Sequence, residues 1–202
     1  MNQTLKAYIE QNILPQYDRF DLSHRRDHVE TVIRESLSLA RHYDVDEDMV
    51  YCTAAYHDTG LAEGRDTHHL VSGRIIRQDR VLRQWFDECQ IETMAQAAED
   101  HRASSKHEPR SIYGKIVAEA DRNIDPVTIV RRTVLYGVSH YPDLDREAQW
   151  QRTLAHLHEK YAEGGYMKLW IPESKNAEQL QVLRELIKDE CRLRDVFDSV
   201  MI

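Results

Sequence analysis

The sequence predicts an all-α fold, a single-domain helical bundle, and three observations carry that reading. Glycine and proline are scarce, at 7 and 5 of 202 residues, so few positions interrupt a helix. No run of alternating β-branched residues has the period-two pattern of a strand. Apolar residues recur instead three and four positions apart along most of the chain. That spacing predicts helices, in order, near residues 3–14, 25–43, 46–59, 67–79, 91–102, 112–124, 126–139, 146–163 and 176–199.

Several helix ends carry their own signals. Ser23 suits the N-cap of the second helix, and Asp46, Glu47 and Asp48 suit the positive end of the third. Gly60 is placed to close the third helix in a left-handed conformation. Pro126 fits the first turn of the seventh helix. Gly164-Gly165 ends the eighth, and residues 164–174 (GGYMKLWIPES) are the expected long loop. With no repeat, low-complexity tract or linker, one domain is expected over residues 1–202. Its site-bearing core is expected at about 18–125, and its supporting helices at about 126–202.

Composition narrows the function. The chain is 41% hydrophobic and 31% charged, with a formal net charge of -8. That sign repels a phosphate backbone and argues against general nucleic-acid binding. No stretch of 18 apolar residues is present to span a membrane. The N-terminus lacks the basic-then-apolar order of a secretion signal. Cys52, Cys89 and Cys191 are far apart and form no C-x-x-C pair, so neither a disulfide framework nor a thiolate zinc site is expected. A cytoplasmic protein is the expectation. The 11 histidines stand out, because imidazole is a common neutral metal ligand and titrates near neutral pH.

Placement gives those histidines meaning. A helix buries residues at i, i+3, i+4 and i+7, and a titratable group on that stripe sits where water is excluded. His28 heads the stripe of Val29, Val32, Ile33, Leu37 and Ala40. Val50, Thr53 and Ala54 lead to His57. Met94, Ala97 and Ala98 lead to His101, and Ile116, Val117, Ala120 and Ile124 surround Asp121. His68 lies one turn before Ser72, close to the face of Ile75 and Ile76. A single histidine on such a face is usually a hydrogen-bonded core residue. Acids and several imidazoles directed into one interior call instead for a shared cation. A nitrogen and carboxylate set without thiolate suits Mn, Fe, Zn, Co or Ni, as one or two ions, better than Ca or Mg. His69, His107, His140, His156 and His158 read as surface or structural residues, and His24 and His42 stay open.

At these positions the chain resembles the HD-domain metal-dependent phosphohydrolase superfamily. The matching stretches are S-H-R-R-D-H-V (23–29), H-D-T-G (57–60), H-H-L-V-S-G (68–73), E-D-H-R (99–102) and A-E-A-D-R (118–122). The resemblance implies a helical bundle with His28, His57, Asp58 and Asp121 as metal ligands. It also implies a second ion at His68 and His101, with Asp58 bridging. Asp58, His68 and His101 are then the catalytic candidates, and Asp100 and Asp27 the candidates for holding histidine tautomers. Family branches that cleave deoxynucleoside monophosphates or guanosine polyphosphates carry a glutamate close behind the His-Asp pair. Here Thr59-Gly60-Leu61 follows, and the first acid is Glu63. The G-Y-P motif of the cyclic-dinucleotide branch is also missing. What remains resembles the small stand-alone hydrolases of the superfamily.

The expected substrate is a small anionic phosphate ester, such as a nucleotide, attacked by metal-activated water. Residues 102–115 hold Arg102, Lys106, Arg110 and Lys115 against Glu108 alone. Such a basic rim would steady a phosphate, with Arg102, Lys106, Lys115 and Arg122 as the binding candidates. Tyr113, Tyr166 and Trp170 are available to stack on a base. The C-terminal helices either buttress the site or form a homodimer face. Two rival readings use the same ligands: a di-iron oxygenase of the HD type, and a metal-containing ligand sensor without turnover.

Overall fold

The structure, a computed structural model, describes residues 1–20, 25–105 and 107–201. It is all-helical, with no strand among the described residues. Among the described residues, ten α-helices run in the order α1 (Gln3–Asn12), α2 (Arg26–Ala40), α3 (Glu47–Tyr56), α4 (His68–Gln78), α5 (Glu88–Asp100), α6 (Ile112–Arg122), α7 (Pro126–His140), α8 (Arg146–Tyr161), α9 (Asn176–Lys188) and α10 (Glu190–Val200). Short 3-10 turns at Leu14–Arg19, Thr59–Glu63 and Arg80–Gln84 link some of them. No helix among the described residues is long and apolar enough to cross a membrane.

The chain folds as two compact units. The first is Met1–Asn123 with Trp170–Ser174, and the second is Ile124–Leu169 with Lys175–Ile202. In the first unit, α2 packs on α3 and α6, while α5 packs on α3, α4 and α6. One part of its core joins Leu5 and Ile9 of α1 to Tyr17, Val29, Cys52, Tyr56, Ile76, Met94 and Ala98. Another joins Val32, Leu39, Val50, Ala54, Ile116, Val117 and Ile171, with Trp170 against it. The buried stripe of α2 is His28, Val29, Val32, Ser36, Leu39 and Ala40, the period expected of an amphipathic helix. In the second unit α7 to α10 pack together, and the Trp150 ring meets Phe197 edge-on at 5.3 Å.

Local sequence explains most boundaries. Asp46 caps α3 through Asp48 N, Asp125 caps α7 ahead of Pro126, and Asp87 with Gln90 closes a capping box on α5. That box starts α5 at Glu88, earlier than apolar spacing alone predicts. The expected long helix at 176–199 is broken at Asp189, whose side chain accepts from Arg192 N and starts α10. The Ser23 cap and His24 lie outside the described residues. Gly60 does not take the left-handed conformation expected of it. It sits inside the 3-10 turn that follows Asp58, and positive φ falls on Gly64 and Gly164 instead. Gly60 is needed for space: a Cβ there would stand 2.0 Å from the His68 carbonyl oxygen and 2.7 Å from Ser72 N.

Candidate metal centre

The first unit brings six of the sequence-predicted residues to one point, and it draws them from helix ends. His28 lies in the first turn of α2, and His68 opens α4. His57 and His101 are the residues that terminate α3 and α5. Asp58 follows His57 directly, and Asp121 stands in the last turn of α6. His57, His101 and Asp58 are 0%, 2% and 3% exposed.

Asp58 is the hub. Its Oδ2 lies 3.3 Å from His57 Nε2 and 3.6 Å from His28 Nε2. Its Oδ1 lies 3.4 Å from both His68 Nε2 and His101 Nε2. Asp121 Oδ1 is 3.3 Å from His28 Nε2 and 3.8 Å from His57 Nε2. Two buried triads result, His28–His57–Asp58 and Asp58–His68–His101, and in each the ligand atoms lie within 4.8 Å of one another.

The tautomers follow from where the helices stop. The last carbonyls of a helix have no helical partner. His57 Nδ1 donates to Ala54 O at 2.8 Å, and His101 Nδ1 to Ala98 O at 2.6 Å, each three residues back. His68 Nδ1 donates to Arg65 O at 2.7 Å, a carbonyl of the segment just before α4. With Nδ1 carrying the proton, each ring turns its Nε2 toward the Asp58 carboxylate. The Nε2 of His57 is fully buried and makes no hydrogen bond, while the Nε2 atoms of His68 and His101 are only 3.2 Å apart. Nitrogen lone pairs crowded on a carboxylate are stable only around positive charge, and a divalent ion bound by imidazole and carboxylate supplies it. The residues present therefore fit a transition-metal ion. Backbone carbonyls hold the tautomers, and the expected Asp100 and Asp27 do not. Asp27 is exposed, and Asp100 is committed to Arg110.

The protonation pattern tells of the same demand. Burial works against a charge on Asp58, yet the His57 ring and the nearby His101 and His28 hold its carboxyl well below the usual range. Burial likewise opposes ionisation of Asp121, and His28 beside it outweighs that and lowers it. His28 is lifted to about 9: burial opposes its charge, but the carboxylates of Asp121 and Asp58 favour it more. Burial, helped by His101, pushes His68 down to about 4. Within this cluster, protons on imidazole balance the two acids.

The basic rim is smaller than its sequence suggests. Arg110 donates from its backbone and side chain to Asp100, which is 1% exposed, and also reaches Glu99 at 2.7 Å. Lys115 pairs with Glu108 at 2.5 Å. Counting charges over residues 102–115 overlooked Glu99 and Asp100 just before that window. Lys106 lies outside the described residues. Arg102 donates to the Asp66 carbonyl at 2.7 Å and has no carboxylate partner among the described residues. Arg122 is 9% exposed, bonds its own helix at Ala118 O and keeps a buried Nε without a partner.

The aromatic candidates divide similarly. Tyr113 accepts from Asp46 N and packs on the core. Trp170 packs on the core while its backbone N–H donates to buried Glu119, which also accepts from Ile171 N and the Ser174 hydroxyl. Both rings are half-buried against that core. Sequence reasoning missed Tyr17 and Ser72, which hold the backbone beside the site through Asp58 N and Gly60 N. Ser72 lies in the matching stretch 68–73, a signal that could have marked it, while nothing in the sequence around Tyr17 does so.

The comparisons with known proteins agree with this geometry. Residues 25–123 match the family model of the HD domain. The fold resembles the crystal structure of a predicted HD superfamily hydrolase from an uncultured Thermotogales bacterium, with a TM-score of 0.51 and 19% identity. The likeness covers 75% of this chain and 89% of that one. No curated protein matches. The matched span begins just before His28 and ends just after Asp121, so it contains all six converging side chains, and by that match residues 25–123 of the chain form an HD domain.

Proposed function

We propose that this HD-domain protein is a metal-dependent hydrolase of a small phosphate ester, a nucleotide or another phosphorylated metabolite. The observation that carries the reading is the buried Nε2 of His57, which makes no hydrogen bond and stands 3.3 Å from the Asp58 carboxylate, among four imidazoles. His28, His57, Asp58 and Asp121 would hold one ion, and His68 and His101 a second, with Asp58 serving both. Such an ion supplies Lewis acidity toward a phosphoryl oxygen and activates water at neutral pH. The chain's own residues do the rest. Backbone carbonyls of Ala54, Arg65 and Ala98 keep three rings turned inward. If only one ion is held, His68 and His101 are left to contact substrate and pass protons. Arg102 and the buried guanidinium of Arg122 are the groups proposed to meet the phosphate, since neither makes an ion pair with a carboxylate among the described residues.

Elemental analysis of purified protein, paired with phosphate release from a panel of nucleotides and phosphate esters with added Mn²⁺, tests this. Asp58→Ala is expected to lose metal and activity together while keeping its helical circular dichroism. A variant that keeps its metal removes Asp58 from the ligand set. Dioxygen uptake by iron-loaded protein without phosphate release selects an oxygenase instead. Inertness of metal-loaded protein in both assays selects a sensor.

A further inference from the structure

The C-terminus of α3 is tied down by side chains from three places. His57 takes the Ala54 carbonyl, and the Thr59 hydroxyl donates to the Tyr56 carbonyl at 2.8 Å. The Ala55 carbonyl between them is taken from far away in sequence, by the hydroxyl of Tyr17 at 2.9 Å. The same hydroxyl accepts from Asp58 N at 3.2 Å. Tyr17 is 0% exposed, and Phe20 packs edge-on against its ring at 5.2 Å.

Ala55 O and Asp58 N are three residues apart, the pair that would bond directly in a tight final turn. The phenol oxygen is inserted between them. With that insertion, Asp58 adopts φ -111° and ψ 5°, in the sparsely populated bridge region where many active-site residues sit. The backbone of Asp58 sets where its Cβ points, and so where its carboxylate meets the four rings.

We propose that Tyr17 is a positioning residue of the metal centre: its hydroxyl, inserted in the last turn of α3, aims the Asp58 carboxylate into both triads. This inference rests on the metal-centre part of the reading above and is independent of the substrate. Without the hydroxyl, Ala55 O and Asp58 N are left to bond each other in a tighter turn, which would turn Asp58.

The test is Tyr17→Phe, with Tyr56→Phe as its control. Tyr56 is also 0% exposed, and its hydroxyl bonds Asp79 at 2.5 Å, with no bond to Asp58. The readouts are Co²⁺ affinity by chelator competition, the visible spectrum of the Co²⁺ protein, and thermal melting without metal. Tyr17→Phe is expected to weaken Co²⁺ binding by about 10- to 100-fold, the usual loss when a group supporting a ligand is removed. Its cobalt bands should also shift. Tyr56→Phe should lower the melting temperature comparably and leave affinity and spectrum as in wild type. The cobalt spectrum reads the loaded protein, so it answers even where metal-free Tyr17→Phe does not fold. Wild-type affinity and an unchanged spectrum in Tyr17→Phe overturn the proposal. Wild-type protein that binds no Co²⁺ overturns the metal centre itself.

Discussion

Gly60 makes room for His68: the two backbones approach so closely that a single added methyl on Gly60 would stand 2.0 Å from the His68 carbonyl oxygen. The Gly60 N–H donates to the Ser72 hydroxyl at 2.9 Å, one turn further along α4. A glycine two residues after Asp58 thereby sets the distance between the Asp58 hub and a helix that carries one of its imidazoles.

Gly60→Ala is accordingly expected to cost about 3 kcal/mol, at the upper end for overpacking, because the clash is with backbone that cannot rotate away. Urea unfolding measures the loss, and metal content should fall with it as His68 is displaced. A variant as stable as wild type, with full metal content, would mean that α4 does not press on this turn.

Arg110 and Lys115 should part company when each is replaced by alanine. Arg110→Ala leaves the buried Asp100 carboxylate without its guanidinium, and breaking such a pair costs about 3 kcal/mol. Lys115→Ala removes a largely exposed pair with Glu108, expected to be worth about 0.5 kcal/mol. Chemical denaturation of both variants decides. Similar losses would contradict the partners assigned to the two side chains.

Arg122→Met is expected to leave stability within about 1 kcal/mol of wild type, because burial opposes the guanidinium's charge while the nearby Asp121 and Glu119 carboxylates favour it. In the proposed hydrolase the same change should raise KM for the phosphate ester by about 10-fold or more, reflecting a lost charge-assisted contact. A destabilised variant with unchanged KM would make Arg122 purely structural.

The second unit carries its own pH signature at His156. Burial, and after it Lys160 and Arg152, lower the pKa of this ring in the folded protein. The unfolded chain therefore binds the proton more readily, and stability rises with pH through that window. The contribution is fully present above about 6.5, the unfolded value, and is lost as pH falls toward the folded value. Urea midpoints at pH 7.5 and pH 5 should differ less in His156→Gln than in wild type. An equal or larger difference would refute the assignment.

Much of this is legible in the sequence. Helical spacing predicted the helices that position the site, and His28, His57, His68, His101, Asp58 and Asp121 were picked out as polar groups on buried stripes or within matching motifs. Periodicity read the break at Asp189 as continuous helix, because a single capping aspartate hardly disturbs an apolar stripe. The basic run of 102–115 misled for a related reason, since charge along the chain says nothing about a carboxylate folded against it.

What the sequence determined by itself is the chemistry: which residues could bind a cation, and that helices would carry them inward, because both depend on residue type and on a period of a few positions. Tertiary structure alone decided the geometry. It inserted Tyr17 between Ala55 and Asp58, pressed α4 on Gly60 and set backbone carbonyls in place of the expected acids as holders of the imidazoles. Those relations join groups far apart in the chain or depend on where a helix stops, and hydrogen bonds and steric contact act over a few ångströms of space whatever the distance along the sequence.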